Sequence, residues 1–212
     1  GQKFSLGVAG THGKTTTSSM LMTVLRAAQL RPSFIIGGEV RGVGSGASWD
    51  GGDHLVVEAD ESDGTHEQLP LGAVIVTNID VDHLDHFATF DNLVQSFARF
   101  LDGVHGPKVV CVDDVSLVQL ALTRNLTTFA LHGPARFTAR NIAFLEGGSN
   151  FEVFHHEVVG DAGVGLGQVR LHLRGEHNVS NALGVIALSM LLGIDFGIGA
   201  TALSGFSGVA RR

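Results

Sequence analysis

Short apolar runs and segments with helical periodicity alternate along residues 4–124 of the chain. The apolar runs are rich in Val and Ile and do not alternate with polar residues, a pattern typical of strands that are covered on both faces. We therefore predict an α/β fold with three layers, in which a mostly parallel sheet of the P-loop type is flanked by helices. The predicted strands are 4–9, 54–58, 73–76 and 109–112, and the predicted helices are 14–28, 90–101 and 115–124.

The pattern changes between residues 136 and 174, where short β-like segments are separated by glycine-rich stretches. These segments predict a small antiparallel patch, formed by strands 137–145, 151–158 and 169–173. Two helices follow, and the first is apolar on almost every side, which predicts that it packs against the sheet. We predict these helices at 179–192 and 198–203. The glycine-rich segment 37–52 is predicted to be a loop.

Composition restricts the classes of partner. The formal net charge of -7 gives no broad attraction to nucleic acid or to anionic lipid, so neither is expected as a partner. No apolar stretch reaches the roughly 18 residues needed to cross a bilayer, and no signal peptide is recognisable, so we expect a cytoplasmic protein. Cys111 lies in an apolar run and is predicted to be a buried strand thiol. The oligomeric state is not predictable.

The 212 residues, of which 44% are hydrophobic, are enough for one domain with a sizeable core. The chain does not begin with methionine, and it closes on two arginines directly after an apolar segment. We therefore expect residues 1–212 to be one domain of a longer protein.

The segment 7–17 links a predicted strand to a predicted helix and carries glycines followed by lysine and three threonines. Glycines allow the backbone to fold round a polyphosphate, so that its N–H groups and the helix N-terminus face the anion. The strict P-loop pattern is not met, because Val8 stands where that pattern has a glycine. The alternative is a plain turn with a helix cap and a solvated lysine. The residues predicted to bind ATP here are Gly10, Thr11, His12, Gly13, Lys14, Thr15 and Thr16.

Two polar clusters follow predicted strands. The first, 58–63, holds four acids, and the second, 77–86, holds Asn78 and His83 together with three aspartates. Carboxyl ends of parallel strands meet at one edge of a sheet, and nucleotide-bound metals prefer oxygen ligands, so Glu58 is a candidate metal ligand. Each cluster could instead be a solvated turn, and the second could be a small zinc site.

Taken together, these motifs resemble the Mur ligase family. The resemblance rests on the shortened phosphate loop at 10–15, the acidic motif at 58–63 and the motif at 77–85, followed by motifs at 175–182 and 206–212. The second and third motifs resemble members that add L-alanine more than members that add later residues. Some of the latter carry a carbamylated lysine after the histidine, whereas this chain has no lysine between its phosphate loop and position 108.

The resemblance implies roles for individual residues. It implies that Lys14, Glu58 and His83 are catalytic, and that Thr15, Glu58 and His83 hold Mg²⁺ or Mn²⁺. Asn78 is expected to face the substrate.

The resemblance also extends the predicted ATP site to the end of the chain. Asn178 or Asn181 is expected to bind adenine, because an amide can donate and accept at once. As an alternative, Asn178 or Ser180 could cap the late helix. Arg212 is expected to contribute to the nucleotide site.

The function that the resemblance implies is ATP-dependent amide formation in peptidoglycan synthesis. The lactyl carboxylate of UDP-N-acetylmuramate would attack the γ-phosphate of ATP, and L-alanine would attack the resulting acyl phosphate. In this family a nucleotide-sugar domain precedes the ATP-binding domain and an amino-acid domain follows it, so the 212 residues alone are expected to be inactive. Three alternatives are a muropeptide-recycling ligase that attaches a tripeptide to the same sugar, a non-catalytic nucleotide-binding module, and a histidine/aspartate metal-storage protein.

Overall fold

The computed structural model describes residues 2–40, 44–62, 64–81 and 87–209. Five helices and one short 3-10 helix, Thr65–Gln68, lie within these ranges. The strands are β1 Phe4–Ala9, β2 Ser33–Val40, β3 Ser45–Ser48, β4 His54–Ala59, β5 Ala73–Val76, β6 Lys108–Cys111, β7 Thr127–Ala130, β8 Phe137–Leu145, β9 Gly148–His155 and β10 Val164–Leu171. The helices are α1 Lys14–Ala27, α2 Phe90–Gly103, α3 Val115–Arg124, α4 Glu176–Leu191 and α5 Phe196–Ser204.

A single sheet contains these ten strands in the order β10-β9-β8-β7-β6-β5-β1-β4-β2-β3. The strands from β8 to β2 in this order are parallel, whereas β3, β9 and β10 pair antiparallel with their neighbours. The predicted mostly parallel sheet with an antiparallel patch is therefore confirmed. The patch extends the main sheet, because β8 pairs with β7 through Phe129 and Phe137.

Helices cover both faces of the sheet. On one face α1, α4 and α5 pack on one another, and α4 also contacts β5 to β9. The chain segments that contain α2 and α3 connect β5 to β6 and β6 to β7. They run along the sheet in the direction opposite to the connection from β1 through α1 to β2. Because such connections are right-handed, α2 and α3 lie on the other face of the sheet. The three predicted layers are confirmed. The predicted packing of the late apolar helix, α4, against the sheet is confirmed as well. The polar residues of its first turn lie at one edge of the sheet.

The order of the strands reverses beside β1. The chain leaves β1 through α1 towards β2 on one side, and it later continues from β5 towards β8 on the other side. In open α/β sheets such a reversal opens a crevice at the carboxyl ends of the central strands. Here that crevice lies beyond Ala9, Ala59 and Val76.

The prediction of a loop at 37–52 is wrong, because residues 37–40 belong to β2 and residues 45–48 to β3. Glycine stands at positions in these strands where a neighbouring segment packs closely against the backbone and leaves little room for a side chain. A Cβ on Gly46 would lie 2.8 Å from the carbonyl oxygen of Ile36, and one on Gly38 would lie 3.1 Å from Thr15. Three further strand assignments need correction. β7 was not predicted, β9 is Gly148–His155 where 151–158 was predicted, and β10 is Val164–Leu171 where 169–173 was predicted.

Two features agree with the expectations from composition. Cys111 is buried at the end of β6, as predicted for a strand thiol, and burial raises the pKa of this thiol. In the part of the chain that the structure describes, no helix combines the length and apolar character needed to span a membrane.

Candidate functional site

The predicted phosphate loop connects β1 to α1 at the crevice. Gly10 has φ of 125° and Gly13 has φ of 87°, backbone angles that favour glycine. Gly13 is the residue before α1, and no side chain caps the first turn of this helix, which also contains no acid. The partial positive charge of the helix N-terminus is therefore not neutralised from within the helix.

The end of β5 holds this loop in place. The backbone N–H of Thr11 donates to the carbonyl of Asn78 at 3.1 Å. The Asn78 side chain accepts from the N–H of His12 at 2.8 Å and donates to its carbonyl at 3.0 Å. The hydroxyl of Thr77 donates to the same carbonyl at 2.7 Å. Backbone and side-chain groups at the end of β5 thus hold Thr11 and His12 of the loop in place.

Lys14 begins α1 and turns back over the loop. Its ammonium donates to the carbonyl of Gly10 at 2.9 Å and to the two carboxylate oxygens of Glu61 at 2.9 and 3.2 Å. The Lys14 side chain is 14% exposed and that of Glu61 is 0% exposed, whereas Asp60, 3.9 Å from the ammonium, is 61% exposed. The alternative of a plain turn with a solvated lysine is therefore wrong.

A hydroxyl and a carboxylate converge beside the loop. The hydroxyl of Thr15 donates to one oxygen of Glu58 at 3.3 Å, and the other oxygen of Glu58 accepts from the N–H of Gly37 at 2.9 Å. A hydroxyl and a carboxylate are the kinds of oxygen ligand that Mg²⁺ uses with nucleotide phosphates. Among the described residues no group of three His, Cys, Asp or Glu side chains could hold a metal. Mg²⁺ needs no such group, because substrate phosphates and water complete its ligands.

A cleft of about 170 Å³ lies on the other side of the loop, between the end of β5 and the first turns of α4. Asn181, which is 6% exposed, forms part of its wall and approaches the loop so closely that a Cβ on Gly13 would lie 2.8 Å from its side-chain oxygen. The cleft therefore brings together residues from three distant segments of the chain. Its lining residues are His12, Gly13, Thr77, Asn78, His177, Ser180 and Asn181.

Asn178 lies one turn before Asn181 in α4, and it is not among the residues that line the cleft. Its amide donates to the carbonyl of Arg174 at 2.8 Å. The alternative in which Asn178 or Ser180 caps α4 is wrong, because Gly175 precedes the helix and no side chain caps it. Gly175 has φ of 104°, a backbone angle that favours glycine.

The structure brings together most of the predicted site residues, from Gly10 to Thr16 with Glu58, Asn78 and Asn181. His83 and Arg212 lie outside the described residues. No individual role was predicted for Glu61, Thr77 or Asp114. Asp114 accepts from the N–H of Ile79 at 2.6 Å and also caps α3, so it links the ends of β5 and β6. The only sequence signal for Asp114 is an acid directly before a helical pattern.

Comparison with known proteins places this geometry in a family. Residues 8–189 match the model of the Mur ligase middle domain. The chain is 37% identical to UDP-N-acetylmuramate--L-alanine ligase of Desulforapulum autotrophicum, over 99% of this chain and 46% of that protein. The chain thus spans about half the length of the curated relatives it matches.

Two solved structures resemble the fold over 99% of the chain. One is UDP-N-acetylmuramate-alanine ligase from Thermotoga maritima, with a TM-score of 0.84, 27% identity and 46% of that chain covered. The other is UDP-N-acetylmuramate:L-alanyl-gamma-D-glutamyl-meso-diaminopimelate ligase from Neisseria meningitides, with a TM-score of 0.84, 30% identity and 68% of that chain covered.

Proposed function

We propose, since this chain belongs to the Mur ligase family, that it is the ATP-binding middle domain of an enzyme that joins L-alanine to UDP-N-acetylmuramate. The observation that carries this proposal is the glycine loop between β1 and α1, with Lys14 over it and Thr15 hydrogen-bonded to Glu58 beside it. The name of the relative from Desulforapulum autotrophicum supports the choice of substrates.

The reaction would proceed in two steps. The lactyl carboxylate of UDP-N-acetylmuramate attacks the γ-phosphate of ATP, which releases ADP and leaves an acyl phosphate. The amine of L-alanine then attacks the acyl carbon, forms the amide, loses a proton and releases phosphate. No protein nucleophile is needed, so the protein contributes position and charge.

The loop residues fit this task. Lys14 supplies a point charge to the outer phosphates, and the uncapped first turn of α1 supplies backbone N–H groups. Glu58 and Thr15 would hold Mg²⁺, and His83 joins them by family resemblance. When bound, the cation neutralises charge on the phosphate oxygens.

The remaining site residues are proposed by family resemblance. Asn181 or Asn178 binds the adenine edge, Asn78 faces the substrate, and Arg212 contributes to the nucleotide site. The cleft wall at Asn181 supports the first of these roles, because this side chain borders the loop directly. A cytoplasmic location, a preceding nucleotide-sugar domain and a following amino-acid domain belong to the same proposal. The 212 residues alone should then bind ATP without completing the reaction.

The test is an assay of the full-length protein with ATP, Mg²⁺ and UDP-N-acetylmuramate. We expect ADP release and amide product with L-alanine, and a fall in turnover of about a hundredfold or more in Lys14→Ala. Lys108→Ala is the matched control, because Lys108 begins β6 and so lies at the opposite edge of the sheet. Equal ATP binding by wild type and Lys14→Ala would favour a non-catalytic module, and an active protein with no alanine product would contradict the proposed substrate.

A second candidate is the muropeptide-recycling ligase. It is favoured by the match to the Neisseria meningitides structure, whose TM-score equals that of the alanine ligase from Thermotoga maritima. The same assay separates the two, because the recycling enzyme would use the tripeptide L-alanyl-γ-D-glutamyl-meso-diaminopimelate as the amine and leave L-alanine unused.

A further inference from the structure

Glu61 contacts the lysine of the phosphate loop more closely than any other carboxylate described. Both of its oxygens accept from the Lys14 ammonium, and the carbonyl of Gly10 accepts from the same group. An ammonium has three donors, and one of them can serve both oxygens of a single carboxylate, so a donor remains for a phosphate oxygen. Glu61 itself is fully buried just beyond the end of β4.

The buried Lys14–Glu61 ion pair is not expected to add much to the stability of the fold. Removing two charges from water is costly, and the attraction between them often only offsets that cost. What the pair does provide is geometry. The Gly10 carbonyl and the Glu61 carboxylate fix the ammonium between β1 and β4, at the carboxyl edge of the sheet, although a lysine side chain is flexible.

We propose that Glu61 is a positioning residue that holds the Lys14 ammonium for phosphoryl transfer. This inference rests on the proposed function of the loop. A carboxylate near the phosphates also repels them, so it should not strengthen the binding of ATP in the ground state. The correctly placed Lys14 charge should instead stabilise the transition state of phosphoryl transfer, so the contribution of Glu61 should appear in kcat.

The proposal predicts a split between kcat and KM in the full-length enzyme. In Glu61→Gln, kcat should fall on the order of tenfold to a hundredfold, as expected when a charged group is misplaced by about 1 Å. The KM for ATP should change by less than about threefold or decrease, because the repelling charge is gone. Asp60→Asn is the matched control from the same acidic segment, since Asp60 is mostly exposed and 3.9 Å from the ammonium. Its kcat should stay within about twofold of wild type.

Folding of the variants is checked separately. Glu61→Asp keeps the buried charge but draws the carboxylate back by one methylene, so kcat should fall while thermal unfolding stays close to wild type. The stoichiometry of ATP binding by calorimetry gives the folded fraction, and kcat is expressed per binding site. A loss of kcat that disappears after this correction would mean that Glu61 is only structural.

A double-mutant cycle with Lys14→Ala tests whether Glu61 acts through Lys14. In the Lys14→Ala background, Glu61→Gln should change kcat by less than about twofold. An equal fall in both backgrounds, or a raised KM with unchanged kcat in the single variant, would overturn the proposal. A wild-type enzyme that makes no amide would contradict the proposed function instead. The same cycle measured by the free energy of unfolding would then still show whether the two residues are coupled.

Discussion

The conformation of Gly10 leads to a prediction whose size can be worked out from the structure. In Gly10→Ala, φ of 125° would strain the backbone by on the order of 1–3 kcal/mol. The new Cβ would also lie 2.3 Å from the hydroxyl oxygen of Thr77 and 2.8 Å from the carbonyl oxygen of Asn78. Overpacking of this kind adds about 1–3 kcal/mol, so we expect a total loss of about 2–6 kcal/mol in the free energy of unfolding.

Two other glycines separate the two contributions. Gly193 has φ of 82° and nothing within 4 Å of its Cβ position, so Gly193→Ala should cost only the backbone strain, about 1–2 kcal/mol. Gly103 ends α2 with neither feature, and Gly103→Ala should be neutral or stabilising by up to about 1 kcal/mol.

Urea unfolding followed by circular dichroism measures all three variants. A loss in Gly10→Ala no larger than in Gly193→Ala would refute the idea that β5 encloses the loop. ATP binding by Gly10→Ala should also fall, whereas the other two variants should bind as wild type.

Three further predictions concern groups outside the loop. Asp114→Ala leaves two backbone N–H groups without their acceptor and should lower the free energy of unfolding by about 2–3 kcal/mol. Asp195→Ala removes only a helix cap and should lower it by about 1 kcal/mol. Thermal unfolding would measure both variants. Hydrogen bonds from Arg99 lower the pKa of Glu67. At pH values above the usual glutamate pKa, the pair should therefore add up to about 1 kcal/mol to the free energy of unfolding. This contribution should be lost as the pH falls below about 4. Unfolding of wild type and Arg99→Met should therefore converge in acid, and a constant difference would contradict this. Burial raises the pKa of Cys111, so the native thiol should react with iodoacetamide much more slowly than in urea, and equal rates would show that it is accessible.

Local signals in the sequence were sufficient for several elements. The spacing of apolar residues placed α3 at its observed bounds, and the predicted start of α2 agrees with Phe90. The phosphate loop was recognisable because a strand, two glycines and a lysine stand in a fixed order. The placement of the acidic motif beside the phosphate loop followed from the rule that the carboxyl ends of parallel strands meet at one edge of the sheet.

Other features depend on contacts between distant segments. The glycines at 37–52 have low strand propensity, and only pairing with β4 and close approach to α1 explain their place in β2 and β3. Three acids, Asp60, Glu61 and Asp63, follow β4, and their spacing does not indicate which one is buried beneath Lys14. Thr77 stands at the end of an apolar run like many other threonines, and only the position of the loop gives its hydroxyl a partner.

The meeting of Asn181 with Gly13 affects how the protein is made. Within this domain the ribosome delivers the loop early and α4 late, so the cleft wall is missing until almost the whole domain has emerged. Contacts between such distant positions are slow to form, because a long flexible chain must close before they repay its entropy. A nascent chain stopped before α4 would carry the complete phosphate-loop motif and still lack the cleft. ATP, by binding only the finished domain, would stabilise the completed chain and not its precursors.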